Sequence, residues 1–408
     1  MRVLQICNKP PYPPIDGGCI AMNNITEGLL ELDVDLEVIS VSTNKHPVIL
    51  QMLPESYIKN TKFEHVKINT DIRLKDAFVN LFSSESYNIK RFISKDFKEL
   101  IIKRLEAQDF DIILLESLYV TPYIDLIRKH SNARIVLRAH NIEHTIWERM
   151  SFNTSNPIKK RYLKLLTDRL KKYETEVISK LDAIVSISEL DKSALINLGF
   201  EKSILNLPVG YSMKNPSLNE QFEKNSIFHI ASMDWAPNEE AVKWFLEKVW
   251  SNLSGEFPMT KLYLAGRSMP KWLLNIDQEN VEVVGEVASA KNFILSKDIM
   301  IVPLLSGSGM RVKIIEGMAL GKTIITTSIG AEGINYTDGK DILIANTSEE
   351  FAYQISKCLL DESFKDSIGL NAQRLIAKEY SNLELSKKLC SFFEKQIEFN
   401  SNNTSALS

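Results

Sequence analysis

The sequence predicts an α/β protein built from two Rossmann-like domains, and three observations support this prediction. Short apolar runs alternate with longer segments of helical periodicity, which is the pattern of βαβ units in a mainly parallel sheet. The alternation occurs twice, once in each half of the chain. The chain has 408 residues, which is more than one ordinary hydrophobic core accommodates.

The predicted strands are short and mostly continuously apolar, as expected of strands that helices cover on both faces. In the first half they are Val3–Cys7, Leu36–Val41, Ile112–Leu115, Ile135–Leu137, Ala183–Ile187 and Ile204–Leu207. In the second half they are Ile227–Ala231, Leu262–Ala265, Val281–Val284, Ile299–Val302, Thr323–Thr326 and Ile342–Ile344. Either set alone is sufficient for a doubly wound sheet.

The boundary between the halves is predicted near residues 208–226, where a Pro-Val-Gly sequence ends a strand and a polar stretch follows. We therefore assign residues 1–210 to a first domain and residues 211–379 to a second. A last helical segment, residues 380–400, is predicted to cross back to the first domain. The polar residues 401–408 are predicted to form a disordered tail.

The composition excludes several classes of protein. The formal net charge of −3 gives no reason to expect a nucleic-acid partner. The four cysteines lack the spacing of metal ligands, and we expect them to be free thiols in a reducing compartment. The start of the chain lacks a signal-peptide pattern, and no apolar run reaches about 18 residues. We therefore expect a cytoplasmic protein.

The most informative stretch reads as strand Ile299–Val302, a loop with Gly307 and Gly309, and a helix that opens near Met310. A glycine loop at a helix N-terminus presents backbone N–H groups and the positive end of the helix dipole. Arg311 and Lys313, which we expect in the first helical turn, add two positive charges. The stretch therefore predicts a phosphate site. The alternative is a loop that needs glycine only for its geometry, with Lys313 in a solvated pair with Glu316.

The following sequence, Gly317–Thr323, is similar to a P-loop but has the wrong spacing and the wrong context. A P-loop follows a strand and opens a helix, whereas this segment ends a helix and precedes a strand. We interpret Gly321 as a helix C-cap.

The first half contains three further candidates. Gly17 and Gly18 lie between the first strand and a helix, at the sheet edge where ligands bind in such folds, although a simple turn explains them equally well. His140 follows a strand at the same edge. Asp109 and Asp111 have the spacing of a metal-binding pair, but we prefer a helix-to-strand turn. A Gly-x-Gly-x-x-Gly fingerprint is absent, so no motif supports a nicotinamide cofactor.

Together these features resemble the GT-B fold, in which two Rossmann-like domains face each other across a cleft. The second half resembles glycosyltransferase family 4, whose Glu-x7-Glu pattern is matched from Ser308 to Glu316. The family's glycine turn matches residues 16–18, and its histidine matches His140. The family's crossover segment, aromatic-Ser-Trp, matches Tyr380 and Ser381, with Asn382 in place of Trp.

The resemblance implies roles for individual residues. Glu316 would accept hydrogen bonds from the ribose, backbone amides of Gly18, Gly309 and Met310 would bind the diphosphate, and the base would rest near Gly285–Val287. His140 would lie near the anomeric carbon. We thus predict His140 and Glu316 as catalytic residues. The predicted donor-binding residues are Gly17, Gly18, Arg267, Val287, Ser308, Gly309, Met310, Arg311, Lys313 and Glu316.

Two departures from the family pattern concern the donor. Ser308 stands where the family has the first Glu, which contacts the donor sugar. The family's Arg and Lys after the first strand of the second domain are absent from Ile230–Asn238. We expect Arg311 and Lys313 to supply this charge, with Arg267 as a weaker candidate. The two departures do not change the expected reaction class, but they leave the identity of the donor sugar undetermined.

The resemblance implies a retaining, metal-independent hexosyl transfer with no cofactor, from a UDP- or GDP-linked sugar to a polysaccharide or a lipid-linked glycan of a bacterial cell envelope. Two alternatives are a sugar-nucleotide epimerase of the same fold and a non-catalytic nucleotide-sugar-binding protein. The first would form product without an acceptor, and the second would bind without turnover.

One helical segment suggests a membrane partner. Residues 159–172 include seven basic residues and one acid, Asp168, above apolar residues at helical spacing. A basic amphipathic helix binds anionic membranes, so we predict a peripheral contact with the inner face of the plasma membrane. The alternative is a solvated helix face.

Overall fold

The computed structural model describes residues 1–71, 80, 83–152, 154, 156–212, 222–307 and 309–405. They form two compact units, one of Met1–Gly210 with Asn382–Ser408 and one of Tyr211–Ser381. Each unit has a parallel sheet covered by helices, so the predicted α/β class with two Rossmann-like domains is confirmed.

The first unit is built on seven parallel strands. They are β1 Arg2–Cys7, β2 Asp35–Ser42, β3 Glu64–Lys67, β4 Ile112–Glu116, β5 Arg134–Ala139, β6 Ala183–Ser186 and β7 Ser203–Asn206. Their order in the sheet is β3-β2-β1-β4-β5-β6-β7. The helices before the boundary are α1 Gly17–Glu31, α2 Glu55–Thr61, α3 Tyr87–Lys90, α4 Lys95–Ala107, α5 Ile124–His130, α6 Glu143–Phe152, α7 Pro157–Ile178 and α8 Glu189–Asn197, with 3-10 turns at Leu50–Met52 and Leu118–Tyr123.

Burial explains which strands of this sheet the sequence predicts. All five residues of the central strand β4 are buried, in agreement with its continuous apolar run. The strand β3 is not among the predicted strands, because its residues are polar and only partly buried. It lies at the sheet edge, where charged side chains reach solvent and an apolar run is not required.

The second unit repeats this architecture with six parallel strands. They are β8 Ile227–Ile230, β9 Leu262–Ala265, β10 Val281–Gly285, β11 Ile299–Val302, β12 Thr323–Thr326 and β13 Leu343–Ile344. Their order is β10-β9-β8-β11-β12-β13. The helices are α9 Ala236–Phe245, α10 Ser251–Glu256, α11 Lys271–Leu274, α12 Ala290–Ser296, α13 Val312–Ala319, α14 Ser348–Leu360 and α15 Glu362–Glu379, with a π-helical turn at Leu246–Trp250.

The last helix, α16 Asn382–Ser405, belongs to the first unit, as predicted for the segment that crosses back. Asn382 Nδ2 donates to the Asn24 carbonyl over 2.9 Å, and Asn24 Nδ2 donates to the Gly210 carbonyl over 2.6 Å. The first unit consists of two chain segments, and these bonds tie the end of the first segment and the start of the second to α1. The predicted disordered tail is wrong for residues 401–405, because no proline or glycine stops the helix before Ser405. Residues 406–408 lie outside the described residues.

The C-terminus of α13 confirms the interpretation of Gly321. This glycine has a φ of 72°, in the left-handed region. Its N–H donates to the Met318 carbonyl over 3.0 Å, and the Lys322 N–H donates to the Gly317 carbonyl over 3.0 Å. This is the Schellman pattern that ends a helix. The segment therefore caps a helix and does not form a P-loop.

Among the helices within the described ranges, none has the length and apolar character needed to cross a membrane.

Candidate functional site

The predicted phosphate site lies on the loop between β11 and α13, residues 303–311. Gly307 and Gly309 have φ values of 114° and 84°, in the region that favours glycine. A Cβ atom at Gly307 would lie 2.7 Å from Arg311 NH2 and 2.8 Å from the Trp235 ring. The loop therefore needs glycine for both its backbone and its packing. Ser308 lies outside the described residues.

Arg311 fixes this loop. Its side chain is buried, its NH1 donates to the Gly309 carbonyl over 2.7 Å, and its guanidinium carbon lies 5.1 Å from the centroid of the Trp235 ring. Arg311 is the N-cap of α13. The helix thus begins at Val312, two residues later than predicted near Met310, because Gly309 has a positive φ and Arg311 is extended. The Arg311 guanidinium therefore lies at the helix N-terminus and not within the first turn, where it was predicted.

Lys313 does lie in the first turn of α13, where it is half-buried beside Arg311. Its Nζ donates to Asn238 Oδ1 over 3.0 Å, and Asn238 Nδ2 donates to the Ser232 carbonyl over 2.8 Å. Burial and, to a smaller extent, the positive charge of Arg311 together lower the pKa of Lys313 to about 7. Two cations held this close favour an anion beside them.

Glu316 follows on the same helix and is half-buried. Burial raises the pKa of Glu316, and Lys291 opposes that rise. Burial and the nearby Glu316 together raise the pKa of Tyr211 to about 12. Because the Lys313 ammonium donates to Asn238, the solvated Lys313–Glu316 pair is not the arrangement in the structure. One loop and helix start therefore present cations at one end and a carboxylate at the other.

The remaining predicted residues of this unit lie at the same sheet edge. Val287 and Met310 pack against one hydrophobic cluster, so the segment after β10 and the 303–311 loop share a support. Arg267 follows β9, which is two strands from β11, and its carbonyl accepts a hydrogen bond from Met233 N over 2.9 Å. The structure thus groups Gly309, Met310, Arg311, Lys313 and Glu316 on one loop and helix start, and Val287 shares a hydrophobic cluster with Met310.

In the first unit, Gly17 and Gly18 are the first two residues of α1, directly after the N-cap Asp16, whereas the sequence predicted them in the loop before the helix. Asp16 Oδ1 accepts from Cys19 N over 2.9 Å and from Lys9 Nζ over 2.7 Å, and His46 Nε2 donates to Asp16 Oδ2 over 2.9 Å. Burial alone would raise the pKa of Asp16, but His46 and Lys9 hold it well below its usual range. The Asp16 carboxylate therefore holds together the groups around the glycine turn of this unit.

His140 follows β5, at the carboxyl end of the sheet as predicted. Its Nε2 donates to Glu116 Oε2 over 2.7 Å, and Glu116 is fully buried between His140, Gln5 and Arg138. Burial would raise the pKa of Glu116, but Arg138 and His140 lower it, so this group is a carboxylate. Burial lowers the pKa of His140 despite Glu116. The imidazole is therefore neutral near pH 7, with its proton on Nε2 and Nδ1 as an acceptor.

The Asp109–Asp111 pair has a structural role. Asp111 Oδ2 accepts from Arg2 N over 2.7 Å, and the Asp111 backbone joins the starts of β1 and β5 through hydrogen bonds to Arg2 and Arg134. The predicted turn is thus observed. Within the described parts of the chain, no three His, Cys, Asp or Glu side chains meet in a way that could hold a metal ion.

Several residues that contact Asp16 or the predicted site residues were missed. They are Lys9, His46, Glu116, Trp235 and Asn238. The sequence offers a signal for Glu116, a lone acid that ends an otherwise apolar strand. It offers none for Asn238, whose bond to Lys313 joins residues 75 positions apart.

Comparisons with known proteins agree with this architecture. Residues 224–361 match the family model described as Glycosyl transferases group 1. A Klebsiella pneumoniae protein, described as an uncharacterized 44.6 kDa protein in the cps region, is 26% identical over 423 residues, which cover 97% of this chain and 99% of that protein.

Two solved structures have the same fold at low sequence identity. Sucrose-phosphate synthase from Thermosynechococcus elongatus has a TM-score of 0.70 at 12% identity, with 97% of this chain and 99% of that chain covered. The pneumococcal O-GlcNAc transferase GtfA in complex with UDP and GlcNAc has a TM-score of 0.66 at 10% identity, with 97% and 99% covered. Residues 224–361 of the second unit thus match the group 1 glycosyl transferases, and the chain as a whole has the GT-B fold.

Proposed function

We propose that this protein is a retaining glycosyltransferase that moves a hexose from a nucleoside diphosphate to a glycan acceptor. The observation that carries the proposal is the start of α13, where Arg311 and Lys313 flank a helix N-terminus and Glu316 follows one turn later. Backbone N–H groups, a helix dipole and two cations suit a diphosphate. A carboxylate suits the two hydroxyls of a ribose.

The donor that we propose first is linked to UDP, and a GDP-linked sugar is the second choice. The structure of GtfA, which has this fold, contains UDP and GlcNAc. The uracil would rest near Val287, which shares a hydrophobic support with Met310.

We propose that transfer needs neither a metal ion nor a cofactor. The charge on the leaving diphosphate would be balanced by Arg311, Lys313 and the N-terminus of α13. Transfer or donor hydrolysis should therefore continue in EDTA. A complete loss of activity that Mg²⁺ or Mn²⁺ restores would contradict this proposal and direct attention to Asp109 and Asp111.

Catalysis would depend on the position of the donor and on the stabilised leaving group. His140 would lie near the anomeric carbon as a neutral acceptor, because Glu116 fixes its Nε2 proton. Glu116 is fully buried and bonded, so we assign it a positioning role and not that of a nucleophile. A front-face displacement assisted by the donor phosphate accounts for retention. The anomeric configuration of the product, measured by NMR, tests this assignment.

The acceptor that we propose is a polysaccharide or a lipid-linked glycan, since the Klebsiella relative is described as a protein of the cps region. The reaction would take place in the cytoplasm at the inner face of the plasma membrane. The exposed basic residues of segment 159–172 would provide the peripheral contact.

A thermal-shift screen with UDP, GDP, ADP and their sugars tests the function, because a ligand that binds only the native state raises the melting temperature. We expect UDP or a UDP-sugar to give the largest shift and to support transfer to a glycan. A new nucleotide sugar formed without acceptor would identify an epimerase. Tight binding with no turnover on any acceptor would identify a non-catalytic binder.

A further inference from the structure

The end of α6 and the start of α7 hold large apolar side chains in solvent. Phe152, the last residue of α6, is 79% exposed, and Ile158, the second residue of α7, is 82% exposed. Met150 on α6 is 47% exposed. We name these three residues the apolar corner. Large apolar side chains grouped at one place on a surface mark an interaction site.

Basic side chains continue the surface of the apolar corner. Lys159, Lys160, Arg161 and Lys164 of α7 are all exposed. Lys160 Nζ lies 5.6 Å from the centroid of the Phe152 ring, so the two groups are contiguous. Ile158, Arg161 and Lys164 follow one another at three-residue intervals and therefore share one side of the helix. The same end of α7 thus presents both apolar and cationic side chains.

The apolar corner is firmly supported by the rest of the first unit. Asn156 caps α7 by accepting hydrogen bonds from Ile158 N and Lys159 N, each over 3.0 Å. The inner face of α7 is buried through Leu163, Leu166 and Leu170. Glu174 of α7 also accepts from His144 Nδ1 at the start of α6 over 2.6 Å. Ser151 Oγ, next to Phe152, donates to the Lys160 carbonyl over 3.2 Å, so the end of α6 is bonded to the start of α7.

We propose that the apolar corner inserts into the interfacial region of an anionic bilayer while the adjacent basic residues bind lipid headgroups. Charge complementarity selects this partner, because four exposed cations follow one another on the first turns of α7 and one of them, Lys160, contacts Phe152, on a chain whose formal net charge is −3. Apolar insertion and a basic patch are two signals, and stable peripheral binding requires two. The inference rests on the proposed membrane contact and not on glycosyl transfer.

Vesicle sedimentation tests both parts of the surface. The full chain should sediment with vesicles of phosphatidylglycerol and phosphatidylcholine and not with phosphatidylcholine alone. The triple variant K160E/R161E/K164E should lose roughly fivefold in partitioning for each basic residue removed. The double variant F152S/I158S should lose about tenfold or more and should keep its dependence on salt.

Matched controls separate a local effect from a general one. Met259→Ser removes an apolar side chain that is 93% exposed in the second unit. The triple variant K95E/K98E/K129E reverses three exposed lysines on α4 and α5. Both controls should partition like the native chain, and circular dichroism of every variant checks folding.

Insertion itself has a direct optical readout. In the variant Phe152→Trp, anionic vesicles should shift the added tryptophan emission to the blue, and brominated lipids should quench it. Binding of the native chain without that shift, or equal binding of F152S/I158S, would overturn the proposal. Failure to bind any vesicle would also overturn it and would assign the corner to a protein partner. Titration of UDP without vesicles should be unchanged in all these variants, so failure of the membrane proposal and failure of the proposed function are distinguishable.

Discussion

Both units have glycines between a strand and a helix, but the N-cap residues of the two helices carry side chains of opposite charge. In the first unit the N-cap of α1 is Asp16, whose carboxylate also accepts from Lys9 and His46. In the second unit the N-cap of α13 is Arg311, and Lys313 follows two residues later. The two helix N-termini are thus similar in local architecture but differ in the sign of the charge that the neighbouring side chains carry.

The difference indicates how each helix N-terminus is used. An N-terminus carries a partial positive charge and is stabilised by anions. The chain itself supplies that anion at α1, whereas at α13 it adds further positive charge. We infer that a ligand supplies the anion at α13. The turn at α1 has its anion within the chain and is stable without a ligand.

The largest expected effect distinguishes the two glycine turns. Gly307→Ala should weaken UDP binding roughly a hundredfold, because the new Cβ meets Arg311 and Trp235 and the backbone has a positive φ. Gly18→Ala should cost less than about fivefold, because its Cβ meets only the end of the Lys9 side chain, 2.7 Å away. Calorimetric titration with UDP measures both. Equal losses in the two variants would contradict the proposed difference between the turns.

A smaller effect should appear as a pH dependence of donor binding. The pKa of Lys313 in the free protein is about 7, and a bound diphosphate favours its charged form. Affinity for UDP should therefore be highest below pH 7 and should fall by at most about tenfold for each unit above it.

The variant Lys313→Met should have weaker binding and a flatter pH profile from pH about 7 upward, where the phosphate is already ionised. Titrations across this range in the native chain and in the variant measure the effect. An identical slope in both proteins would exclude Lys313 as its source.

The smallest effect on the donor is expected from Asp16→Asn, which retains the helix cap and removes the charge. The pKa of Asp16 is lower in the folded chain than in the unfolded one. Its contribution to stability is therefore fully present above the unfolded pKa, about 3.9, and is lost as the pH falls through the folded value.

At pH 7 the variant should have lost about 1 kcal/mol of unfolding free energy, and its UDP affinity should change less than about twofold. The stability difference from the native chain should shrink in acid. Urea unfolding at neutral and acidic pH measures it. A large loss of UDP affinity with unchanged stability would place Asp16 in the donor site instead.

A feature of the fold can be predicted from the sequence when burial or local geometry restricts the residues that form it. Buried strands such as β4 are continuously apolar, so their pattern is visible in the sequence. The edge strand β3 has no such constraint and no such pattern. The C-cap at Gly321 is predicted because Schellman geometry depends on neighbouring residues only.

The charge arrangement of the candidate site was harder to predict because its contacts are not local. The positions of Gly307, Arg311 and Lys313 in the chain identify a loop, a helix start and two cations. The bond of Asp16 to His46 across 30 residues and the bond of Asn238 to Lys313 across 75 residues depend on the folded sheets. The resemblance to a family supplied roles for Glu316 and His140 that spacing alone does not give.

The most direct test of the central claim titrates UMP and UDP into three proteins, which are the native chain and the variants Arg311→Ala and Glu316→Gln. Arg311 should act on the second phosphate, so Arg311→Ala should weaken UDP by about tenfold or more and UMP much less. Glu316 should act on the ribose, so Glu316→Gln should weaken both ligands by a similar factor, corresponding to about 1.5–3 kcal/mol. Equal affinity of all three proteins for UDP would contradict the account, because α13 would then not be the donor-binding element.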